Sequence, residues 1–332
     1  MIPRAGRRFN SFQGVPPCDV RQSALRFRAP SDKRNLHGFS MQAAFLPDRG
    51  VIKVSGEDAR RFLDNLTTSS IEALRPGIGR FGALLTPQGK IIADFLITEA
   101  PAGHGGGLLL DCPRELAEAL ATKLNFYKLR AKVAVENLSG ELGVLAAWDG
   151  EPLATPDLAF VDPRSAALGW RILLPQSVAQ RACELIGAAW REPEAYEAHR
   201  IACGVPKGGV DFAYGDAFPH EANMDRLAGV DFDKGCYVGQ EVVSRMQHRG
   251  TARSRVVTVR VDAPAPAAGT TITAGDKQIG TMGSSAEGRG LALVRLDRAG
   301  DALQAGETWL AGGRPLAPAA PEELQAAGKA PA

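Results

Sequence analysis

The sequence predicts an α+β protein that ends in a small antiparallel β-barrel, on three observations. Between residues 41 and 250, apolar runs of helical and of strand period follow one another without the βαβ alternation of a doubly wound sheet. From Arg255 onward the texture changes to short β runs broken by Gly, Pro and Asp, as in a closed sheet of short strands. The chain has 332 residues, 45% of them hydrophobic and 23% charged, which suits two or three packed modules.

Residues 1–40 stand apart. They hold seven Arg and one Lys against Asp19 and Asp32, so this segment carries +6 of a chain whose total is +2. An Arg-rich, acid-poor start fits an organellar transit peptide, or an extension upstream of a true start at Met41, and is set aside from the fold either way. The rest is net acidic, which removes bulk basicity as an argument for nucleic acid, and no direct nucleic-acid contact is expected. No apolar run approaches the ~18 residues of a membrane span, so no membrane partner is expected.

Folded texture starts with "VIKV" (51–54), a short strand. Ser55 and Asp58 then give a cap-like Ser-x-x-Asp, and Ala59, Phe62, Leu63 and Leu66 follow with one buried helical face. "GALLTPQGKIIADFLI" reads as a hairpin turning at Thr86–Gly89. A second helix starts near Asp111 or Pro113, with Leu116, Leu120 and Leu124 as its stripe, and leads to a strand from Ala131. A third, "PEAYEAHRIACG", has Pro193 at its start and Gly204 past its end. The expected organisation is an extension over 1–40, an α+β region of two modules over 41–250, a barrel over 251–315 and a disordered tail over 316–332.

The five cysteines, Cys18, Cys112, Cys183, Cys203 and Cys236, are scattered, with no CxxC, which excludes a disulfide framework or a self-contained metal site. No GxxxxGK[ST], HExxH or GxSxG is present. What remains is "DKGCYVGQEVVSR" (233–245), where Gly235 and Gly239 flank Cys236 and permit a sharp turn. Lys234 favours a thiolate by its charge, and Gln240 and Glu241 offer an amide and a carboxylate to orient a ligand. Spacing leaves two readings open, a packed core thiol and a presented reactive one. Downstream, residues 242–261 contain Arg245, Arg249, Arg253, Arg255 and Arg260 and no acid, a run suited to a carboxylate-rich partner or to a solvated face. In the hairpin, Asp94 shares the face of Ile92 and Leu96 by alternation. It is therefore either beside a pocket or satisfied locally.

"FPHEANMDRLAGVDFDKGCYVGQEVVSRMQHRG" (218–250), and above all Lys234–Glu241, closely resembles the signature of the YgfZ-type folate-binding proteins, whose mitochondrial members assist iron–sulfur cluster assembly. "VSGEDARRFLDNLTT", "YKLRAKVAVE" and "IGTMGSSAEGRGLALVRL" resemble that family's blocks in the same order. The resemblance implies the fold of the aminomethyltransferase (T-protein) of glycine cleavage, with modules around a central folate channel and a C-terminal antiparallel β-barrel. It also implies tetrahydrofolate as cofactor. T-proteins carry a paired Asp-Asp in the hairpin, and the matching stretch Gly89–Asp94 keeps only Asp94. Their Arg-Thr-Gly-Tyr-Thr-Gly-Glu block has no counterpart near Arg164, Gly169 and Arg171.

The implied function is an accessory factor for [4Fe–4S] protein maturation, including radical enzymes that modify tRNA. Cys236 is then a redox thiol or a thiolate to a transient cluster shared with an iron–sulfur carrier or scaffold protein, because one cysteine cannot hold a cluster alone. Lys234 stands with Cys236, while Asp94, Glu221, Tyr237, Gln240, Glu241 and Arg245 are the candidate folate-side residues. The alternatives are a tetrahydrofolate-dependent aminomethyltransferase relying on Asp94, and a binding module with a structural Cys236. A bacterial cytoplasm is the first expectation for compartment, and the mitochondrial matrix is the alternative if residues 1–40 are a transit peptide.

Overall fold

The structure, a computed structural model, describes residues 41–322 and 324 apart from 73, 153, 251 and 263. The expectations for residues 1–40 and for 325–332 lie outside the described residues.

Met41 leads into β1 (Gln42–Leu46) and β2 (Arg49–Ser55), and α1 (Ala59–Asp64) follows. Ser55 closes β2 and caps nothing. Asp58 precedes the helix, but its carboxylate accepts the Lys132 backbone N–H at 2.8 Å, so the expected capping pair does not form. β3 (Gly79–Leu85) and β4 (Ile91–Glu99) are the predicted hairpin, with Gly89 at φ +80° in its turn.

β5 (Leu108–Pro113) runs directly into α2 (Arg114–Tyr127), so Asp111 belongs to a strand and not to the start of the helix. Leu120 and Leu124 are buried as expected, with Ala117 and Ala121 beside them. The strand expected from Ala131 begins at Ala134 as β6 (Ala134–Asn137), because the chain first turns through Leu129 at φ +43°. β7 (Gly143–Trp148), β8 (Ala159–Val161), β9 (Trp170–Leu174), α3 (Ala179–Leu185), β10 (Ala189–Trp190) and α4 (Pro193–Ala202) complete the second module.

These strands form two five-stranded sheets, in the orders β10-β1-β7-β9-β8 and β3-β4-β5-β2-β6, antiparallel throughout except for the β1–β10 pair. Both sheets contribute to one central core, with Ala44, Val144 and Leu173 from the first and Val51, Phe81 and Leu96 from the second. The far face of the second sheet packs against α1 and α2 through Phe62, Leu63, Leu120 and Leu124. The register shift opposite Leu84 and Leu85 breaks the simple alternation of β4. Ile92 therefore packs on the helix-side core, whereas Leu96 faces the central one, so Asp94 does not share one uninterrupted stripe with both.

After α5 (Gln240–Arg249) the chain forms β11 (Ser254–Val261), β12 (Thr271–Ala274), β13 (Lys277–Ala286), β14 (Arg289–Arg295), α6 (Leu296–Gln304), β15 (Trp309–Ala311) and β16 (Arg314–Pro318). The six strands close as an antiparallel barrel in the order β11-β14-β13-β12-β15-β16, with β16 returning to β11. Closure removes free sheet edges and explains how strands this short are stable. β16 extends past the expected boundary at 315, and Leu324 is buried, so the ordered part reaches into the expected tail.

The barrel is fastened to the rest by polar contacts. Asp211 Oδ1 accepts from the backbone N–H and the hydroxyl of Ser284 on β13, each at 2.7 Å, and Arg200 of α4 donates to Asp211 Oδ2 and to Ser284 Oγ, each at 2.9 Å.

Candidate functional site

A cavity of about 520 Å3 opens between the two sheets and is roofed by α4 and the segment Pro206–Tyr214. Asp94 of β4, only 5% exposed, lines it, and the Tyr214 hydroxyl donates to its carboxylate. Burial, with Asp94 next to it, pushes the Tyr214 phenol well above its ordinary range, so it stays a donor at neutral pH. At the mouth Lys207 is paired with Asp48 at 2.7 Å and with Glu197 at 3.3 Å. Arg114, the first residue of α2, also lines the cavity and is exposed, with no carboxylate partner among the described residues.

Beneath the cavity floor lies a buried ionic chain. Arg49 Nε donates to Asp111 Oδ1 at 2.6 Å, and Arg171 donates to Asp111 at 3.3 Å, to Asp162 at 3.1 Å and to the Tyr196 hydroxyl at 2.8 Å. Arg164 grips Asp162 through two hydrogen bonds of 3.0 and 2.7 Å. Arg171 on β9 thus joins Asp111 on β5, tying the two sheets together. With three guanidinium groups and two carboxylates the chain carries one excess positive charge, and the Asp94 carboxylate in the same cavity opposes it.

Burial alone would raise the Asp162 carboxyl, but Arg164 and Arg171 outweigh it and hold it well below the usual carboxylate range. A depressed carboxyl contributes stability that is fully present above its unfolded value, near 3.8, and is lost as pH falls towards its folded one. The difference in urea midpoint between wild type and Asp162→Asn is therefore expected to be constant above about pH 5 and to narrow below about pH 4. A difference that stays constant down to about pH 3 would contradict the pairing.

The second element is the loop carrying Cys236. Among the described residues Cys236 is the one exposed cysteine; Cys112 and Cys183 are buried and Cys203 is half-buried. Burial pushes the Cys112 thiol up to about 12, which makes it inert. The loop is pinned from both sides. Lys234 Nζ donates to the backbone carbonyls of Asp64, Thr67 and Ser69 at 2.5, 2.8 and 3.1 Å, and Val238 packs on the α1–α2 core. Gly239, at φ +83°, sits against the hairpin turn, where an added Cβ would lie 2.6 Å from the Thr86 carbonyl oxygen. From that turn, Gly89 to Asp94 spans roughly 16 Å of β4. Cys236 does not line the cavity.

The other candidates fall elsewhere. Lys234 anchors the loop with an ammonium engaged by three carbonyls. Glu221 accepts the Phe218 backbone N–H at 2.9 Å, and burial raises its carboxyl. Tyr237 is buried under the Lys234 ammonium, its phenol pushed up to about 12 by burial, with no hydrogen-bond partner for its hydroxyl among the described residues. Gln240 opens α5, and Glu241 and Arg245 pair with each other on its exposed face. None of these six lines the cavity; of the folate-side candidates only Asp94 does. Arg255 is taken by Asp225 in a two-point pair at 2.9 and 3.0 Å. Sequence reading missed Arg49, Asp111, Tyr196 and Tyr214. The available signal was a charge inside an apolar strand, as in "LLLDCP" and "WRILL".

Comparison with known proteins follows this geometry. Residues 253–326 match the family model described as CAF17, C-terminal beta-barrel domain. The solved glycine cleavage system aminomethyltransferase T of Bartonella henselae superposes with a TM-score of 0.67, covering 91% of this chain and 88% of that one at 16% identity, so the two share the T-protein fold. The chain is 34% identical over 255 residues to "Iron-sulfur cluster assembly factor IBA57 homolog, mitochondrial" of Mycosarcoma maydis, spanning 73% of this chain but 62% of that longer protein. It is 31% identical to mouse and 32% identical to human "Iron-sulfur cluster assembly factor IBA57, mitochondrial", in each case over 75% of this chain and 76% of the relative. The resemblance to the related YgfZ type thus sharpens: with this identity over three quarters of its mouse and human relatives, the chain belongs to the IBA57 family of iron–sulfur cluster assembly factors.

Proposed function

We propose that this chain is a folate-binding accessory factor for iron–sulfur protein maturation, chiefly of [4Fe–4S] proteins, with tRNA-modifying radical enzymes among its clients. The observation that carries the reading is the exposed Cys236, held on a pinned loop in a chain whose relatives are named as cluster assembly factors. Among the described residues no group of three or more His, Cys, Asp or Glu is placed to hold a metal ion. The cluster is therefore cargo, with Cys236 supplying one thiolate and an iron–sulfur carrier or scaffold protein supplying the others. The mitochondrial names of the relatives favour the matrix over a bacterial cytoplasm for this chain. No helix among the described residues is long and apolar enough to cross a membrane.

Tetrahydrofolate fits the cavity by size and by donor set. Its volume falls within the ~300–1,000 Å3 usual for small-molecule sites. Asp94 offers a buried carboxylate to ring N–H groups, and Arg114 offers a guanidinium at the mouth to the glutamate carboxylates. Bound folate supplies a nitrogen that can carry a one-carbon unit; the residues of the chain bind it and exclude water. Titration with tetrahydrofolate is expected to saturate the wild type, and Asp94→Ala is expected to weaken binding at least about tenfold, or ~1.4 kcal/mol. Unchanged affinity would remove Asp94 from the site. Folate-dependent release of methylenetetrahydrofolate from an aminomethyl donor, at appreciable turnover, would instead establish an aminomethyltransferase.

A further inference from the structure

A second concave surface lies away from the cavity. A groove of about 410 Å3 runs between the end of α1 and the turn after α2, floored by Phe62, Leu66 and Tyr127. Two large apolar side chains stand in solvent at this turn, Phe126 at 75% and Leu129 at 86% exposure, and Leu129 also lines the groove. Leu129 holds φ +43°, a left-handed conformation that is unfavourable for a non-glycine residue. Ending α2 explains the left-handed backbone, but not an apolar side chain held in solvent on it.

The rim is net basic. Arg61, Lys128 and Arg130 line the groove, and none has a carboxylate partner among the described residues. The groove's own carboxylate, Asp58, is already engaged by the Lys132 backbone N–H. An apolar floor with a rim of three cations against one carboxylate is complementary to a protein segment that places an apolar side chain between carboxylates. A protein is favoured over a membrane surface by what adjoins the groove.

The groove adjoins the cysteine loop. Asn65 and Leu66 line it, and the carbonyls of Asp64 and Thr67, one residue to either side, are two of the three that hold Lys234. Lys234 is two residues from Cys236, a reach of at most about 7 Å along the chain. Tyr127 and Val238, from the groove and from the cysteine loop, pack on the same core. A protein seated in the groove is thereby next to the loop that presents the thiol.

We infer that this groove is the docking site for the carrier that shares the cluster, and that the carrier enters it with an acidic segment bearing an apolar anchor. This rests on the thiolate role proposed for Cys236, and the test separates the two. The probe is a purified acidic iron–sulfur carrier bearing a [2Fe–2S] cluster on cysteine thiolates, titrated calorimetrically into the full chain. Lys128→Glu/Arg130→Glu is expected to weaken binding at least about tenfold, and Leu129→Ser at least about fivefold, while Cys236→Ser keeps affinity within about threefold but alters the visible spectrum of the mixture. Raised salt is expected to weaken the wild-type complex far more than that of the charge-reversed chain.

Groove variants that bind as wild type does, with Cys236→Ser still changing the spectrum, would overturn the docking site and leave the thiolate reading intact. Failure of the wild type to bind the carrier would overturn both. Binding to vesicles of four parts phosphatidylcholine to one of cardiolipin, or to unmodified tRNA, lost in the groove variants while carrier binding persists, would assign the surface to another partner and overturn the inference.

Discussion

Cys236→Ser is expected to leave the protein folded and to remove its function. The thiol is exposed, and the loop is held by Lys234, Val238 and Gly239 and not by the sulfur. Stability is expected to change by no more than about 0.5 kcal/mol, as for surface substitutions away from special features. In cells lacking the native protein, the activities of several [4Fe–4S] enzymes are expected to fall at least about tenfold relative to rescue by wild type, since loss of even outer-shell partners of metal ligands costs 10–100-fold. Full rescue at equal protein level would reduce the thiol to a bystander. Partial rescue of radical tRNA-modifying enzymes alone would limit its clients to the others.

Arg171→Met is expected to have the largest effect on stability. The side chain is buried, and its guanidinium is shared among Asp111, Asp162 and Tyr196. Methionine fills much of the volume but leaves two carboxylates facing each other without their common cation. Removing one partner of a buried ionic group costs about 3–5 kcal/mol, and because Arg49 still faces Asp111 and Arg164 still faces Asp162 the lower end, about 3 kcal/mol, is expected here. Urea unfolding monitored by tryptophan fluorescence measures this directly, and a loss under about 1 kcal/mol would show that the chain of charges does not hold the two sheets together. Arg171→Lys is expected to recover little, since an ammonium cannot bond Asp111, Asp162 and Tyr196 along the edges of one planar fork.

Much of the architecture was legible because each segment carries a local signal. The hairpin around Thr86–Gly89, the α2 stripe of Leu120 and Leu124, Pro193 at the start of α4 and the barrel from Arg255 follow from period and turn chemistry that residues enforce on near neighbours. Where expectation and structure part, a distant residue decides. Asp58 fails as a cap because Lys132, far along the chain, takes its carboxylate, and Ile92 changes core because it is the extra residue where β4 shifts register against Leu84 and Leu85 of β3. The cavity could be glimpsed through Asp94 alone. Its other members, Arg49, Arg164, Arg171, Tyr196 and Tyr214, and Asp111 bonded behind them, come from five separate stretches, and only the folded chain brings them together. Glu221, Tyr237, Gln240, Glu241 and Arg245 sit near Cys236 in sequence, but proximity along the chain did not place them in the cavity.

The clasp between Asp211, Arg200 and Ser284 makes the barrel more than an appended module. Arg200 lines the cavity and, in the same rotamer, reaches across to β13. A chain truncated before Ser254 would strand Asp211 with half its hydrogen bonds and slacken the wall that α4 supplies. Conversely, any small molecule that binds only the closed cavity weights the seated barrel by the same free energy, RT ln(1 + [L]/Kd). Occupancy of the interior and seating of the C-terminal barrel are thus thermodynamically linked, and a protease that nicks a lifted barrel would report on a ligand it never touches.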